Sequence, residues 1–134
     1  MTNPNRRTID VRSEQGQSLT EFALALPVLA LLLFAVIQFG IVFNNYVTLT
    51  DATRAGARKA IVSKHESDPA GLCMQAVRNS AQDLEQSDLD ASCQSTWTDN
   101  ANVTVTATYP YEISLLGMVV KSGRLSSTTQ ERME

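Results

Sequence analysis

The chain has few of the side chains that build catalytic and metal sites. Its only histidine is His65 and its only cysteines are Cys73 and Cys93, and their spacing fits neither a zinc ligand set nor a histidine-based triad. It contains no glycine-rich phosphate loop. Its net charge of -3 provides no electrostatic basis for binding nucleic acid. The sequence therefore predicts a protein that is not an enzyme, uses no cofactor or metal and binds no nucleic acid.

One long stretch has almost no polar side chains. Residues 22–43 contain Gln38 as their only strongly polar residue. As a helix they extend roughly 33 Å, enough to cross a hydrocarbon core of about 30 Å. The alternative is a buried core helix, but the rest of a 134-residue chain has too little apolar mass to surround a helix that is apolar on all sides. We expect a single transmembrane helix at 22–43.

A cleaved secretory signal peptide is a second alternative, because Arg6, Arg7 and Arg12 precede the apolar stretch. The apolar region of a signal peptide spans only about 7 to 15 residues and ends at a small-residue cleavage site. Here the stretch is longer and ends at the polar Asn44 and Asn45. We therefore expect an anchor that stays attached to the chain.

The cysteines indicate the orientation of this anchor, since basic residues are nearly balanced on its two sides. Cys73 and Cys93 both follow the apolar stretch, and an even number of cysteines suits a disulfide in an oxidising compartment. Two unpaired buried thiols are the alternative. We expect the N-terminus to be cytoplasmic and the remainder of the chain to be exported.

The N-terminal half divides into a polar leader and a helix. Residues 1–16 have too few apolar side chains to form a core, so we expect them to be disordered. The segment 17–63 is expected to be one long helix over residues 18–62, with Ser18 and Glu21 forming a capping box. Pro27 lacks an amide hydrogen and is expected to bend the helix within the membrane.

The far end of this helix carries very small side chains at spacings of three and four. Ala52, Ala55, Gly56 and Ala60 line one edge, which permits close helix packing. Two interpretations remain open: this edge contacts neighbouring subunits, or it packs on the chain's own exported domain.

Residues 64–134 are predicted to form a small exported domain, and the whole chain an α+β fold. Ser67, Asp68 and Pro69 are typical of a helix start, followed by an amphipathic helix with an apolar stripe. Residues 102–109 alternate apolar and threonine side chains, as a half-buried strand does. Flanking strands are expected at 92–98 and 123–130, so that the helix packs on a short antiparallel sheet. The stripe comprises Leu72, Cys73, Ala76, Val77 and Leu84.

An apolar segment lies between the last two predicted strands. Residues 113–120 are too short to span a bilayer but more apolar than a loop requires. We favour burial in the domain core, with a contact patch against another subunit or the membrane surface as the alternative.

Several of these features occur together in one known family. The chain has Gly16, Glu21 at the fifth position after it and Phe22, followed by the proline-bearing apolar helix and the later Ala-Thr-Arg-Ala-Gly-Ala-Arg motif. This combination resembles TadE-like pilus assembly proteins, which are minor pseudopilins of the tight-adherence (Flp) pilus system. The resemblance covers residues 16–58, with a weaker similarity in the C-terminal strands. Gln17 departs from the small or aromatic first mature residue of many pilin relatives.

The resemblance implies a bacterial inner-membrane precursor that a prepilin peptidase cuts after Gly16, leaving Gln17 as the new N-terminus. Glu21 would then pair with the ammonium of Gln17 on a neighbouring subunit during assembly, because a carboxylate near hydrocarbon is costly unless it is paired. The implied partners are the peptidase, other pilin-like subunits and the pilus assembly machinery. Two other functions remain open: a pilin or pseudopilin of another type IV filament or secretion system, and a membrane-tethered periplasmic binding module.

Overall fold

The computed structural model describes residues 11–115 and 117–134, with side chains from Gly16 onward. Two helices precede a three-stranded antiparallel sheet of order β1-β2-β3, which confirms the α+β class. The chain divides into a unit that ends at Val36 and a unit from Ile37 to Glu134. The elements are α1 (Val11–Val62), α2 (Pro69–Ser80), β1 (Asp90–Gln94), β2 (Asn102–Leu115) and β3 (Met118–Arg132).

Helix α1 begins earlier than expected. It starts at Val11, so both the predicted start at Ser18 and the disorder predicted for residues 11–16 are wrong. The predicted capping box is wrong for the same reason, because Ser18 lies inside a helix whose amides already have backbone partners. Extending an existing helix adds one hydrogen bond per residue without a new nucleus. The first ten residues of the predicted leader lie outside the described part of the chain.

The apolar part of α1 has no core around it. Among the described residues, one helix is long and apolar enough to cross a membrane, and its most apolar window is 0% buried. Apart from the half-buried Val42, the large side chains of residues 22–43 are exposed by between 43% at Leu31 and 74% at Leu24. The core-helix alternative requires these side chains to be covered, so exposure on all sides favours a membrane anchor. Pro27 lies inside the helix as predicted.

Helix α2 starts where the sequence predicts. Asp68 is its N-cap, and the Oδ1 atom of Asp68 accepts a hydrogen bond from the Gly71 amide at 2.9 Å. Pro69 occupies the first turn, where its missing amide hydrogen costs nothing. The helix ends at Ser80, so Leu84 of the predicted stripe is buried but lies beyond the helix.

The sheet confirms the alternating strand and lengthens the predicted hairpin. In β2, Val103, Val105 and Ala107 are fully buried and the intervening threonines lie on the other face. Strand β1 is shorter than predicted: it ends at Gln94. Trp97 and Asn100 then adopt positive φ angles of 54° and 63°, which do not fit a strand.

The predicted burial is wrong for residues 117–120, whereas residues 113–115 are half-buried. These residues form the end of the β2–β3 hairpin rather than a loop that packs on the core. Met118, Val119 and Val120 are exposed by 69%, 58% and 63%. Strand β1 pairs with β2 only as far as Thr108, so beyond that point no third strand extends the sheet.

The C-terminal part of α1 belongs to the core of its unit. Ala52 and Ala60 are fully buried, and Gly56 lies directly against α2 and β2. A Cβ atom placed on Gly56 would lie 2.5 Å from Cγ2 of Val77 and 3.2 Å from Cγ1 of Val105. The small-residue edge therefore packs on the chain's own domain, as one of the two interpretations predicted.

A disulfide and a cluster of hydroxyl groups complete this packing. Cys73 on α2 and Cys93 on β1 form the expected disulfide. The buried Thr53 hydroxyl donates to the Thr50 carbonyl at 2.9 Å, and lies 3.2 Å from the Ser127 hydroxyl and 2.9 Å from that of Thr129. One hydroxyl has one donor and two acceptor positions, so all three contacts are satisfied when both β3 hydroxyls donate to Thr53.

Candidate functional site

The predicted processing site lies on an exposed turn of α1. Gly16 is exposed, and a Cβ atom placed on it would meet no atom within 4 Å. The Thr20 hydroxyl donates to the Gly16 carbonyl at 2.9 Å, as threonine side chains do one turn later in a helix. Glycine inside a helix costs roughly 0.5–1 kcal/mol relative to alanine. The peptide bond after Gly16 thus lies at an intrinsically weak and accessible point of the helix.

Gln17, a residue of the predicted processing site, contacts Glu21, which with Phe22 was predicted to act in assembly. The Gln17 side-chain amide donates to Oε1 of Glu21 at 3.2 Å, one helical turn away. Both side chains are exposed. Glu21 lies beside the start of the apolar stretch, and Phe22, the next residue, is 60% exposed. The arrangement places one carboxylate, with one polar partner, at the boundary between polar and apolar surface.

This segment and the predicted disulfide belong to different units of the chain. Gly16, Gln17, Glu21, Phe22 and Pro27 all belong to the unit that ends at Val36, whereas the disulfide lies in the unit from Ile37 to Glu134. The described residues contain no group of three or more histidine, cysteine or acidic side chains that could hold a metal ion.

One polar cluster in the C-terminal unit has no counterpart in the sequence analysis. The Lys64 ammonium donates to Oδ1 of Asp99 at 2.7 Å and also to the backbone carbonyl of Glu134. The hydrogen bond from Lys64, followed by the charge of Lys64, lowers the pKa of the Asp99 carboxyl. This cluster ties the end of α1 to the end of the chain. No sequence pattern signals it, because its members are far apart along the chain.

The comparisons with known proteins identify the N-terminal segment. Residues 16–58 match the family model described as TadE-like protein. No curated protein and no solved structure matches the chain. The matched residues begin at Gly16, the proposed processing residue, and end within the small-residue edge of α1. Residues 16–58 are therefore similar to TadE-like proteins, in agreement with the resemblance seen in the sequence.

Proposed function

We propose that this chain is a minor pilin-like subunit that is processed after Gly16 and is needed to assemble tight-adherence (Flp) pili. The family match associates the chain with Tad pili, and the exposed apolar stretch of α1 supports a membrane anchor. In this proposal the N-terminus is cytoplasmic, the anchor crosses the bacterial inner membrane once, and the C-terminal unit is periplasmic. The single observation that carries the proposal is the match that starts at Gly16.

The exposed surface of the anchor supports a role in assembly. A helix with apolar side chains on all sides can exchange lipid for the helices of other subunits without losing any contact within its own chain. In this proposal Glu21 guides that exchange. Cleavage releases an ammonium group on Gln17, and the Glu21 carboxylate of a neighbouring subunit pairs with it at the membrane boundary.

We predict that Gly16→Ala prevents processing while leaving the fold intact. A peptidase that recognises the glycine loses its substrate, whereas the added methyl group meets no other atom of the folded chain. The measurement is co-expression with a prepilin peptidase, followed by mass analysis and N-terminal sequencing. We expect the wild type to lose about 16 residues and to begin at Gln17, and the variant to keep its leader.

Gly40→Ala is the matched control, because Gly40 is also an exposed glycine in α1 with no atom near its Cβ position. It should be processed like the wild type. A wild-type chain that keeps its leader would contradict the proposal and would favour a tethered periplasmic binding module, which needs no cleavage. A mature N-terminus other than Gln17 would contradict the assigned site.

A further inference from the structure

The end of the β2–β3 hairpin is the largest apolar feature that the proposed function leaves unexplained. We call residues 117–120 the apolar tip. Met118, Val119 and Val120 are three consecutive exposed residues at 69%, 58% and 63%. Consecutive strand residues point to opposite faces of a sheet, so the apolar tip is exposed on both faces.

The apolar tip extends beyond the packed part of the sheet. Strand β1 covers β2 only from Thr104 to Thr108, and beyond that point β2 pairs with β3 alone. A two-stranded ribbon is at best marginally stable in water. Apolar side chains on both of its faces add a further cost in water, which a surrounding apolar medium removes.

The contacts with α1 establish the direction in which the hairpin points. Lys64, near the end of α1, contacts Asp99 and Glu134 at the open end of the hairpin. Thr53, earlier in α1, contacts Ser127 and Thr129 further along β3. Positions in α1 closer to the anchor therefore lie beside positions in the hairpin closer to its tip.

The hairpin is long enough to reach the membrane boundary. From Thr53 back to Phe43, where the apolar stretch ends, α1 covers about 15 Å at 1.5 Å per residue. From Ser127 to Met118, β3 covers about 30 Å at 3.3 Å per residue. The hairpin thus has about twice the reach needed to bring its tip level with the end of the anchor.

The residues around the apolar tip suit a membrane interface. No charged residue lies between Glu112 and Lys121. Tyr109 and Tyr111 precede the tip, and tyrosine is enriched where a protein crosses from water into lipid. The lysine side chain can keep its ammonium in water while its carbon chain lies along apolar surface. From the core toward the tip, the side chains of the hairpin are thus first aromatic, then charged and finally all apolar.

We propose that the apolar tip inserts into the interfacial layer of the lipid bilayer that holds the chain's own anchor. This inference depends on the membrane anchoring in the proposed function. Lipid is favoured over a protein groove because the apolar stretch of α1 already suits a bilayer and because lipid covers both faces of a ribbon at once. Insertion is shallow, since the outer edges of a two-stranded ribbon have unpaired backbone groups that hydrocarbon cannot satisfy.

The test places a tryptophan on the apolar tip and measures its distance from lipid. The native Trp97 belongs to the segment that ends at the open end of the hairpin, so the wild type provides the baseline. Val119→Trp and Phe39→Trp each add one tryptophan, on the tip and in the anchor respectively. The full chain is reconstituted in phosphatidylcholine vesicles with and without acyl-chain bromine, which quenches nearby tryptophan fluorescence. We expect bromine to reduce the fluorescence of the added tryptophan by a comparable fraction in both variants. The fluorescence of Trp97 should decrease only slightly.

Each outcome decides between the alternatives. Quenching of Phe39→Trp without quenching of Val119→Trp overturns the inference and leaves the anchor in place. A Val119→Trp emission that is blue-shifted but insensitive to bromine also overturns it, because the tip is then covered by a second copy of the chain. Quenching of neither variant contradicts both the inference and the anchoring. Met118→Trp repeats the test at a second position, and full resistance of both cysteines to alkylation verifies the fold of each variant.

Discussion

The two halves of helix α1 use opposite kinds of side chain for opposite purposes. The half that runs through residues 22–43 carries large apolar side chains, and all of them except the half-buried Val42 are exposed. The half that packs on the C-terminal unit carries Ala52, Gly56 and Ala60, and all three are buried. In the first half the large apolar groups face the surroundings, whereas in the second half these small residues face the core together with one large one, Leu49. In this protein the apolar content of a segment does not indicate whether the segment lies inside the fold.

The physical reason is the distance between the helix and its neighbours. A transmembrane segment needs side chains that are favourable in lipid, so size carries no penalty there. The C-terminal half instead meets α2 and β2 so closely that Gly56 has no space for a methyl group. The two halves should consequently respond differently to substitution, and three experiments compare them. They are ordered by the expected change in the free energy of unfolding.

Removing the disulfide should have the largest effect on stability, and the effect should be confined to the C-terminal unit. The double variant Cys73→Ala and Cys93→Ala opens a link between residues separated by 20 positions. The chain-entropy model gives a loss of roughly 3 kcal/mol in the free energy of unfolding for a loop of this size. Chemical unfolding in detergent micelles, followed by Trp97 fluorescence, measures it.

Processing after Gly16 should be unchanged in this double variant, because the disulfide lies in the other unit. A double variant that unfolds at the same denaturant concentration as the wild type would show that the disulfide does not stabilise the unit. Alkylation of both wild-type cysteines without prior reduction would show that the disulfide does not form.

Gly56→Ala should have the next largest effect. Its methyl group would overlap the stiff, branched side chain of Val77 and press on Val105. Overpacking of this kind costs about 1–3 kcal/mol, measured by the same unfolding experiment. Gly40→Ala is the control in the anchor half, where the same change meets no atom within 4 Å and should not destabilise the C-terminal unit.

A second substitution sharpens this comparison. Val77→Ala removes the atom nearest to the added methyl group. It should therefore lower the free energy of unfolding less in a Gly56→Ala background than in the wild type. Equal stability of the Gly56→Ala and Gly40→Ala variants would mean that the two halves of α1 do not differ in packing.

Glu21→Ala should have the smallest effect on stability and a large effect on assembly. The side chain is exposed and accepts a hydrogen bond from Gln17 on the surface of the helix, so the free energy of unfolding should change by less than about 0.5 kcal/mol. We expect the precursor to be processed normally and pilus assembly to be impaired, as seen by electron microscopy of surface pili. Glu21→Gln separates loss of charge from loss of size.

Normal numbers of pili on cells that carry Glu21→Ala as their only copy would show that the carboxylate has no role in assembly. Failure of this variant to be processed would instead assign Glu21 to peptidase recognition. Both results would leave the packing of the C-terminal unit untouched, because Glu21 belongs to the other unit.

Much of the fold was predictable where the signal is local. The apolar stretch, the helix start at Asp68 and Pro69 and the alternating strand from residue 102 each depend on neighbouring residues, and each is present. The start of α1 was not predictable in this way, since the capping signal at Ser18 is equally compatible with a helix that is already formed. For the candidate site, the sequence supplied Gly16, Gln17 and Glu21, but not the hydrogen bond between the last two.

The sequence by itself determined the elements whose cause is local: a stretch long and apolar enough to span a bilayer, a capped helix, a strand with period two and two cysteines able to pair. Only the tertiary structure decided that the small-residue edge faces the chain's own domain and that residues 117–120 extend outside the core. The reason is that burial depends on which elements meet. An apolar side chain is equally suited to a core, a partner or a lipid, and only the positions of α1, α2 and the sheet distinguish among them.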